Sequence, residues 1–260
     1  MTALLELRGV TKSFGGLTAV GDVSFDVPAG AIVGLIGPNG AGKTTTFNLI
    51  TGNHRADEGT IRFDGRDVTR LKTHRIVALG IARTFQNIRL FQWLTAVENV
   101  LAGRHCRTRA GLFAAMLRPP WQVREEREAV ARAVAELEFV GLGARALELA
   151  RNLSYGDQRR LEIARALATD PKLLVLDEPA GGMNEGETAE LVELIRRIQR
   201  RGITVLLIEH DMTLVMRACE HIVVLEYGEK IAEGPPAAIQ GDPRVIEAYL
   251  GTEEEEGAVG

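Results

Sequence analysis

The sequence predicts an α/β protein whose core is interrupted by a helical segment. Two short, continuously apolar runs, residues 31–36 and 172–176, are typical of parallel strands that are buried on both faces. The first runs into a glycine-rich loop and a helix, and the second ends in two adjacent carboxylates. Between residues 94 and 151 the strand signals vanish and helical periodicity replaces them.

The other elements follow from the spacing of apolar residues and from the turn residues between them. Strands are predicted at 4–10, 20–27, 31–36, 59–65, 172–176, 203–209, 222–225 and 230–232. Helices are predicted at 42–50, 96–102, 123–140, 159–168, 185–200, 212–219 and 243–250. The first two strands read as edge strands of an N-terminal, partly antiparallel sheet. Asp170 and Pro171 end the helix that precedes the second buried strand.

The helical segment predicts a separate subdomain. Residues 123–140 carry many opposite charges at i,i+4 spacing, which stabilise an exposed helix. Residues 111–121 form a loop whose apolar side chains either pack internally or face a partner. We therefore expect an α/β core at 1–93 and 152–250, an inserted helical subdomain at 94–151 and a solvated acidic tail at 251–260.

The composition indicates a soluble enzyme subunit. The chain has 260 residues, 45% of them hydrophobic and 25% charged, enough for one large or two small domains. No apolar stretch is long enough to span a bilayer, and no secretory signal begins the chain, so we expect a cytosolic protein. The net charge of -4 and the lack of a basic cluster argue against nucleic acid as a partner. Cys106 and Cys219 are expected to be small buried residues rather than a disulfide or zinc site.

The loop after the first buried strand has the pattern GxxxxGK[ST], typical of a P-loop NTPase core. It comprises Gly37, Pro38, Asn39, Gly40, Ala41, Gly42, Lys43, Thr44 and Thr45. Its glycines allow backbone N–H groups to surround the β- and γ-phosphates of a nucleotide, and Lys43 adds a point charge. The Thr44 hydroxyl suits Mg²⁺. A structural glycine turn is the alternative interpretation.

A second motif lies further along the chain, at residues 153–179. Its turn, LSYGDQ, contains Ser154, Tyr155, Gly156, Asp157 and Gln158. Ser154 and Gly156 can begin a helix there and present free N–H groups to an anion. The strand that follows delivers Asp177 and Glu178, two carboxylates that are costly together without a counter-charge, and Asp177 suits Mg²⁺ through a water. The alternative is a helix N-cap followed by a core strand with solvent-exposed acids.

The motifs GPNGAGKTT, LSYGDQ and LLVLDEP, in that order, resemble the ATP-binding subunits of ABC transporters over almost the whole chain. The resemblance implies the ABC ATPase type of P-loop fold, with ATP and Mg²⁺ bound. It implies that Phe14 stacks on adenine, that Gln86 senses the γ-phosphate and binds Mg²⁺, and that His210 contacts the γ-phosphate. Glu178 would orient and activate the attacking water. Without the resemblance, Phe14 reads as a core residue and His210 as a structural one.

The resemblance also implies partners. Residues 154–158 would act on the ATP of a second ABC ATPase subunit, in a homo- or heterodimer that encloses two nucleotides. Two integral membrane permeases would dock near residues 87–100, and an extracytoplasmic substrate-binding protein would complete an importer. The chain would then lie on the cytoplasmic face of the membrane.

Several further segments are similar to the branched-chain amino-acid importer ATPases. They are FGGLTAV, RTFQNIRLF, GRH, LSYGDQRRLEIARAL and IAEG. Tyr155, in place of the first signature glycine, and Asn184, in place of an aspartate, depart from the general pattern and leave the cross-subunit geometry open. A related importer for urea or short amides is the alternative. A soluble ABC protein would carry tandem cassettes or long insertions, and Glu178 with His210 argues against a non-hydrolysing switch.

Overall fold

The computed structural model describes residues 2–104 and 120–249, which form two sheets with helices packed around them. The strands are β1 (Ala3–Phe14), β2 (Leu17–Pro28), β3 (Ile32–Ile36), β4 (Glu58–Phe63), β5 (Arg66–Asp67), β6 (Ile81–Arg83), β7 (Leu173–Asp177), β8 (Thr204–Ile208), β9 (His221–Glu226) and β10 (Glu229–Gly234). The helices are α1 (Lys43–Ile50), α2 (Thr73–Leu79), α3 (Ala96–Arg104), α4 (Pro120–Phe139), α5 (Tyr155–Leu167), α6 (Glu185–Arg200), α7 (Met212–Ala218), α8 (Pro236–Gln240) and α9 (residues 243–249).

The larger sheet has the order β10-β9-β3-β8-β7-β6. All its neighbouring strands are parallel except β10, which pairs antiparallel with β9. Leu35 pairs with Ile208, and Ile208 pairs with Asp177, so these three strands end side by side. The segments that leave their carboxyl ends therefore meet at one edge, where open α/β sheets bind ligands.

The smaller sheet is antiparallel and has the order β2-β1-β4-β5. The prediction that residues 4–10 form an edge strand is wrong, because β1 lies between β2 and β4. A strand with one buried apolar face can lie inside a sheet or at its edge. Strands pair through backbone hydrogen bonds, so the side chains do not show how many neighbouring strands there are. The prediction that residues 20–27 form an edge strand is confirmed.

Helix α4 begins at Pro120, earlier than the predicted start at residue 123, so residues 120 and 121 of the predicted loop are helical. Proline is tolerated in the first turn of a helix, where its missing N–H would have no intrahelical partner. The short elements α2, β6 and α8 were not predicted. Residues 111–119, Cys106 and the tail at 251–260 lie outside the described residues.

The helices between residues 94 and 151 pack on α5 through one buried cluster. Val100 of α3, Ala133 and Leu137 of α4, and Leu161 of α5 belong to it. The division of the chain into a core and an inserted subdomain stays a prediction. Across the described ranges, every helix is too short or too polar to span a membrane.

Candidate active site

The glycine-rich loop leaves β3 at the carboxyl edge of the sheet and leads directly into α1. A Cβ atom on Gly37, whose φ is 150°, would lie 2.1 Å from the carbonyl oxygen of Leu225. On Gly42, with φ 93°, it would lie 2.4 Å from the carbonyl oxygen of Ala19. Both positions therefore require glycine. Helix α1 has no side-chain cap and no acidic residue in its first turn, so its N–H groups and dipole are available to an anion.

Lys43 and Thr44 stand at the start of α1. Lys43 is 7% exposed, and its Nζ donates to the carbonyl oxygens of Gly37 at 2.6 Å and Pro38 at 2.8 Å. Burial lowers the pKa of Lys43, and the charges of Glu178 and Asp177 partly oppose that shift. Thr44 is exposed, and so its hydroxyl can reach a bound ligand. Elsewhere in the loop, Asn39 and Gly40 are exposed, Ala41 is buried and Thr45 is half-buried.

The two predicted carboxylates end β7 and face this loop. Asp177 is 7% exposed, and burial together with the neighbouring charge of Glu178 raises its pKa to about 6. Glu178 has φ 45°, a sparsely populated conformation for a residue with a side chain, and its N–H donates to the carbonyl oxygen of Ile208 at 2.9 Å.

Three predicted catalytic residues meet at one carboxylate. The Gln86 Nε2 donates to Glu178 Oε2 at 2.7 Å. On the other side, His210 Nδ1 lies 3.6 Å from Glu178 Oε1. Gln86 follows β6, Glu178 follows β7 and His210 follows β8, so the strand order alone places them together. A carboxylate held between an amide and an imidazole is suited to orient a water molecule.

The donor set fits Mg²⁺. Thr44, Asp177 and Gln86 offer a hydroxyl, a carboxylate and an amide oxygen, the hard ligands that Mg²⁺ prefers. Within the described ranges, His, Cys, Asp and Glu nowhere form a group of three that could hold a metal by themselves. The identity of the metal ligands stays a prediction.

Glu209 is part of the site but was not predicted from the sequence. It is 1% exposed and accepts hydrogen bonds from the backbone N–H groups of Ala180 at 3.0 Å, His210 at 3.1 Å and Asp211 at 3.4 Å. Burial raises its pKa, which these N–H groups partly oppose. Glu209 thus ties the loop after Glu178 to the segment that carries His210. The sequence feature that could have identified Glu209 is a buried apolar strand that ends in an acidic residue.

Phe14 lies at the end of β1 and is 44% exposed, which excludes the alternative that it is an ordinary core residue. The ring of His54 meets it edge-on at 5.3 Å, and Lys12 Nζ lies 5.2 Å from its centroid. An exposed aromatic beside a cation can take a flat ring such as adenine. Its role in nucleotide binding stays a prediction.

The turn at residues 153–158, LSYGDQ, caps α5, as predicted. Ser154 Oγ accepts from the N–H of Asp157 at 3.2 Å and donates to its carboxylate at 2.8 Å, while Arg145 pairs with that carboxylate at 2.6 Å. Gly156 is buried, and Gln158 Nε2 donates to the carbonyl oxygen of Leu153 at 3.0 Å. In the described part of the chain, the hydrogen bonds of these side chains do not reach the phosphate loop. Ser154 and Tyr155 are exposed instead.

Asn184, the other departure from the general pattern, begins α6. Its side chain accepts from the N–H of Glu187, and the Glu187 carboxylate accepts from the N–H of Asn184, both at 3.0 Å. This reciprocal capping box explains an asparagine at this position, since asparagine and aspartate cap helices about equally well.

Comparison with known proteins agrees with the geometry of this edge. The family model described as ABC transporter matches residues 20–181, and one described as branched-chain amino acid ATP-binding cassette transporter matches residues 229–255. BraF of Pseudomonas aeruginosa is 48% identical over 95% of this chain and 98% of its own length. LivG of Escherichia coli is 47% identical over the same shares. Both are named high-affinity branched-chain amino acid transport ATP-binding proteins.

Solved structures show the same fold. The ADP conformation of an ATP-binding cassette from an ABC transporter has a TM-score of 0.86 at 34% identity, covering 96% of this chain and 100% of that one. A dimeric cassette bound to ADP and Pi, in a post-hydrolysis state, has a TM-score of 0.75 at 27% identity, covering 89% of this chain and 98% of that one.

Proposed function

The chain belongs to the ABC transporter ATPases, and we propose that it powers an importer of branched-chain amino acids. The observation that carries the substrate class is the 47–48% identity to BraF and LivG along 95% of the chain. The match of residues 229–255 to a branched-chain family model supports it, because that segment lies outside the general ATPase match.

In this proposal the chain binds ATP at the start of α1 and hydrolyses it at Glu178. The N–H groups of the glycine-rich loop and the Lys43 ammonium neutralise the β- and γ-phosphates. Thr44, Asp177 and Gln86 would hold Mg²⁺, which would supply further positive charge at the phosphates. Glu178 orients the attacking water and accepts its proton, and Gln86 and His210 fix the direction of that carboxylate.

The ATPases of this family work as dimers joined to membrane permeases. We propose that Ser154 and Gly156 of one subunit contact the γ-phosphate bound by the other, because Ser154 is exposed and the hydrogen bonds of its turn, in the described part of the chain, do not reach the chain's own phosphate loop. We also propose that an extracytoplasmic binding protein delivers the solute. The chain would lie at the inner face of the membrane through the permeases.

The segment after Gln86 offers a docking surface for a permease. Phe91 is 54% exposed and Trp93 is 73% exposed, and the guanidinium of Arg151 lies 3.8 Å from the Trp93 ring centroid. A cleft of about 410 Å³ lined by Phe85, Arg89 and Phe91, among others, opens beside them. Exposed aromatic side chains around a cleft are typical anchors for a partner segment. Movement of Gln86 would reach this surface directly.

The test of the substrate class uses the intact transporter. The purified complex in vesicles is titrated with its binding protein loaded with leucine, isoleucine, valine, other amino acids or urea, and ATP hydrolysis is measured. We expect the three branched-chain amino acids to stimulate turnover most. Stimulation by urea alone would contradict the proposal and favour the alternative importer. A complex with Glu178→Gln, which should bind ATP but nearly cease turnover, provides the background rate.

The cross-subunit role is tested with mixed dimers. Lys43→Ala in one subunit leaves a single working phosphate loop, on the other subunit. Ser154→Ala should reduce hydrolysis when it is placed on the Lys43→Ala subunit, because that turn faces the working site. The same substitution on the other subunit is the matched control, since it removes the same helix cap. Equal rates for the two dimers would contradict the role.

A further inference from the structure

Tyr155 makes contacts that the glycine usual at this position could not make. Its ring lies against the loop after Glu178, where a Cβ atom on Gly182 would be only 3.4 Å from Tyr155 Cε1. Its hydroxyl accepts a hydrogen bond from Arg159 Nη2 at 3.0 Å. The Arg159 guanidinium also lies 5.5 Å from the ring centroid. The side chain therefore bridges two segments of its own subunit, although its ring remains 47% exposed.

Arg159 continues this connection into the active site. Its side chain is 3% exposed, Nη1 donates to the carbonyl oxygen of Phe85 at 2.6 Å, and Nη2 donates to that of Gln86. Glu162 supplies the opposite charge at 3.4 Å. Among the described residues Arg159 Nε has no hydrogen-bond partner, so the two Nη atoms alone hold the guanidinium. The Tyr155 hydroxyl oxygen is one of the few hydrogen-bond acceptors of these two Nη atoms.

The connection ends at the catalytic carboxylate. Arg159 fixes the backbone on which Gln86 stands, and the Gln86 amide donates to Glu178 at 2.7 Å. The ring of Tyr155 meanwhile lies near Gly182, in the loop that leaves Glu178. Tyr155 is therefore connected to Gln86 through Arg159 and lies beside the loop that follows Glu178.

We propose that Tyr155 is a positioning residue for ATP hydrolysis in its own subunit, where it orients Arg159 and, through it, Gln86 against Glu178. The inference rests on the proposed roles of Glu178 and Gln86. It adds a role within one subunit to a turn whose Ser154 is proposed to act on the partner's ATP. The turn would thus serve both sites of the dimer, the chain's own through Tyr155 and the partner's through Ser154.

The first test removes only the hydroxyl. Tyr155→Phe should lower kcat about fivefold, the scale of one orienting hydrogen bond, and leave KM for ATP unchanged. Tyr227→Phe, which removes a tyrosine hydroxyl from a residue that is 78% exposed, is the matched control. If Tyr155 acts through Gln86, then Tyr155→Phe should cause no further loss in a Gln86→Ala background. An equal loss in both backgrounds, or no loss in the wild-type background, would overturn the proposal.

The second test separates the subunits. In a mixed dimer with Lys43→Ala in one subunit, Tyr155→Phe should reduce turnover when it is carried by the subunit with the working phosphate loop. A reduction only when it is carried by the Lys43→Ala subunit would overturn the proposal. Failure of Ser154→Ala in the same dimers would contradict the cross-subunit role alone. Urea unfolding of Tyr155→Phe should show that the variant is fully folded under the assay conditions, which distinguishes positioning from a loss of folded protein.

Discussion

Asp177 is expected to destabilise the protein in the absence of nucleotide and cations. Burial and the charge of Glu178 raise its pKa from 3.8 to about 6, so the folded state binds its proton more tightly than the unfolded state. Below the lower pKa both states are protonated and the carboxyl has no net effect. Between the two values stability falls as the pH rises, and above pH 6 the full penalty applies. Two pKa units correspond to about 3 kcal/mol.

Asp177→Asn should remove this penalty. At pH 7.5 the variant should gain about 3 kcal/mol from the absent charge, and at pH 5.0 only about 2 kcal/mol, because part of the penalty is already relieved there. The difference in unfolding free energy between variant and wild type should therefore grow by about 1 kcal/mol over this range. Any constant effect of the amide on hydrogen bonding cancels in that comparison.

The assay is urea unfolding followed by circular dichroism, in EDTA and without nucleotide, at pH 5.0 and 7.5. Glu247→Gln, which removes an exposed carboxylate, controls for the change in net charge. A difference between Asp177→Asn and wild type that is the same at both pH values, or that shrinks as the pH rises, would refute the assigned cause of the pKa shift.

The remaining predictions concern the other parts of the site. Gly37→Ala should weaken binding of a fluorescent ATP analogue at least tenfold, because its Cβ would meet a carbonyl oxygen at 2.1 Å. Gly40→Ala has open space around its Cβ and only the strain of a φ of 80°, so it should lose less, and equal losses would contradict the steric reason. Glu209→Ala should lower the unfolding free energy by about 1–3 kcal/mol and also lower kcat, because three backbone N–H groups lose their acceptor. Wild-type stability and turnover would show that these N–H groups find other acceptors. Phe14→Ala should raise KM for ATP with little change in kcat, and Phe14→Tyr should restore it; an unchanged KM would exclude stacking on adenine.

The parts of the fold that carry the phosphate site could be predicted because their signals are local. The strands β3, β7 and β8 are continuous apolar runs, and each is followed at once by a loop with charged or glycine residues. Parallel strands bring such loops to one edge, and the resemblance to the ABC transporter ATPases assigned Glu178 and His210 to the same site.

The parts that were missed depend on distant partners. Strand β6 has three residues and is held by pairing with β7, so its own sequence carries little periodicity. The interior position of β1 depends on Glu58–Phe63, which pairs with it from the far side. Neither relation can be read from a window of neighbouring residues.

Two adjacent arginines show why the polar connections within the site were also missed. Arg159 and Arg160 follow one another in α5 and look equivalent in the sequence, although successive helical residues point about 100° apart. Arg160 faces outward and pairs with Glu190 at the surface. Arg159 is buried, and two of its acceptors are backbone carbonyls 73 and 74 residues away. A buried cation is tolerated only where hydrogen-bond acceptors surround it. The position of Arg159 is therefore determined by the surrounding structure to a greater extent than that of the exposed Arg160. Every residue has a backbone carbonyl, so a sequence motif cannot indicate which carbonyls accept these hydrogen bonds.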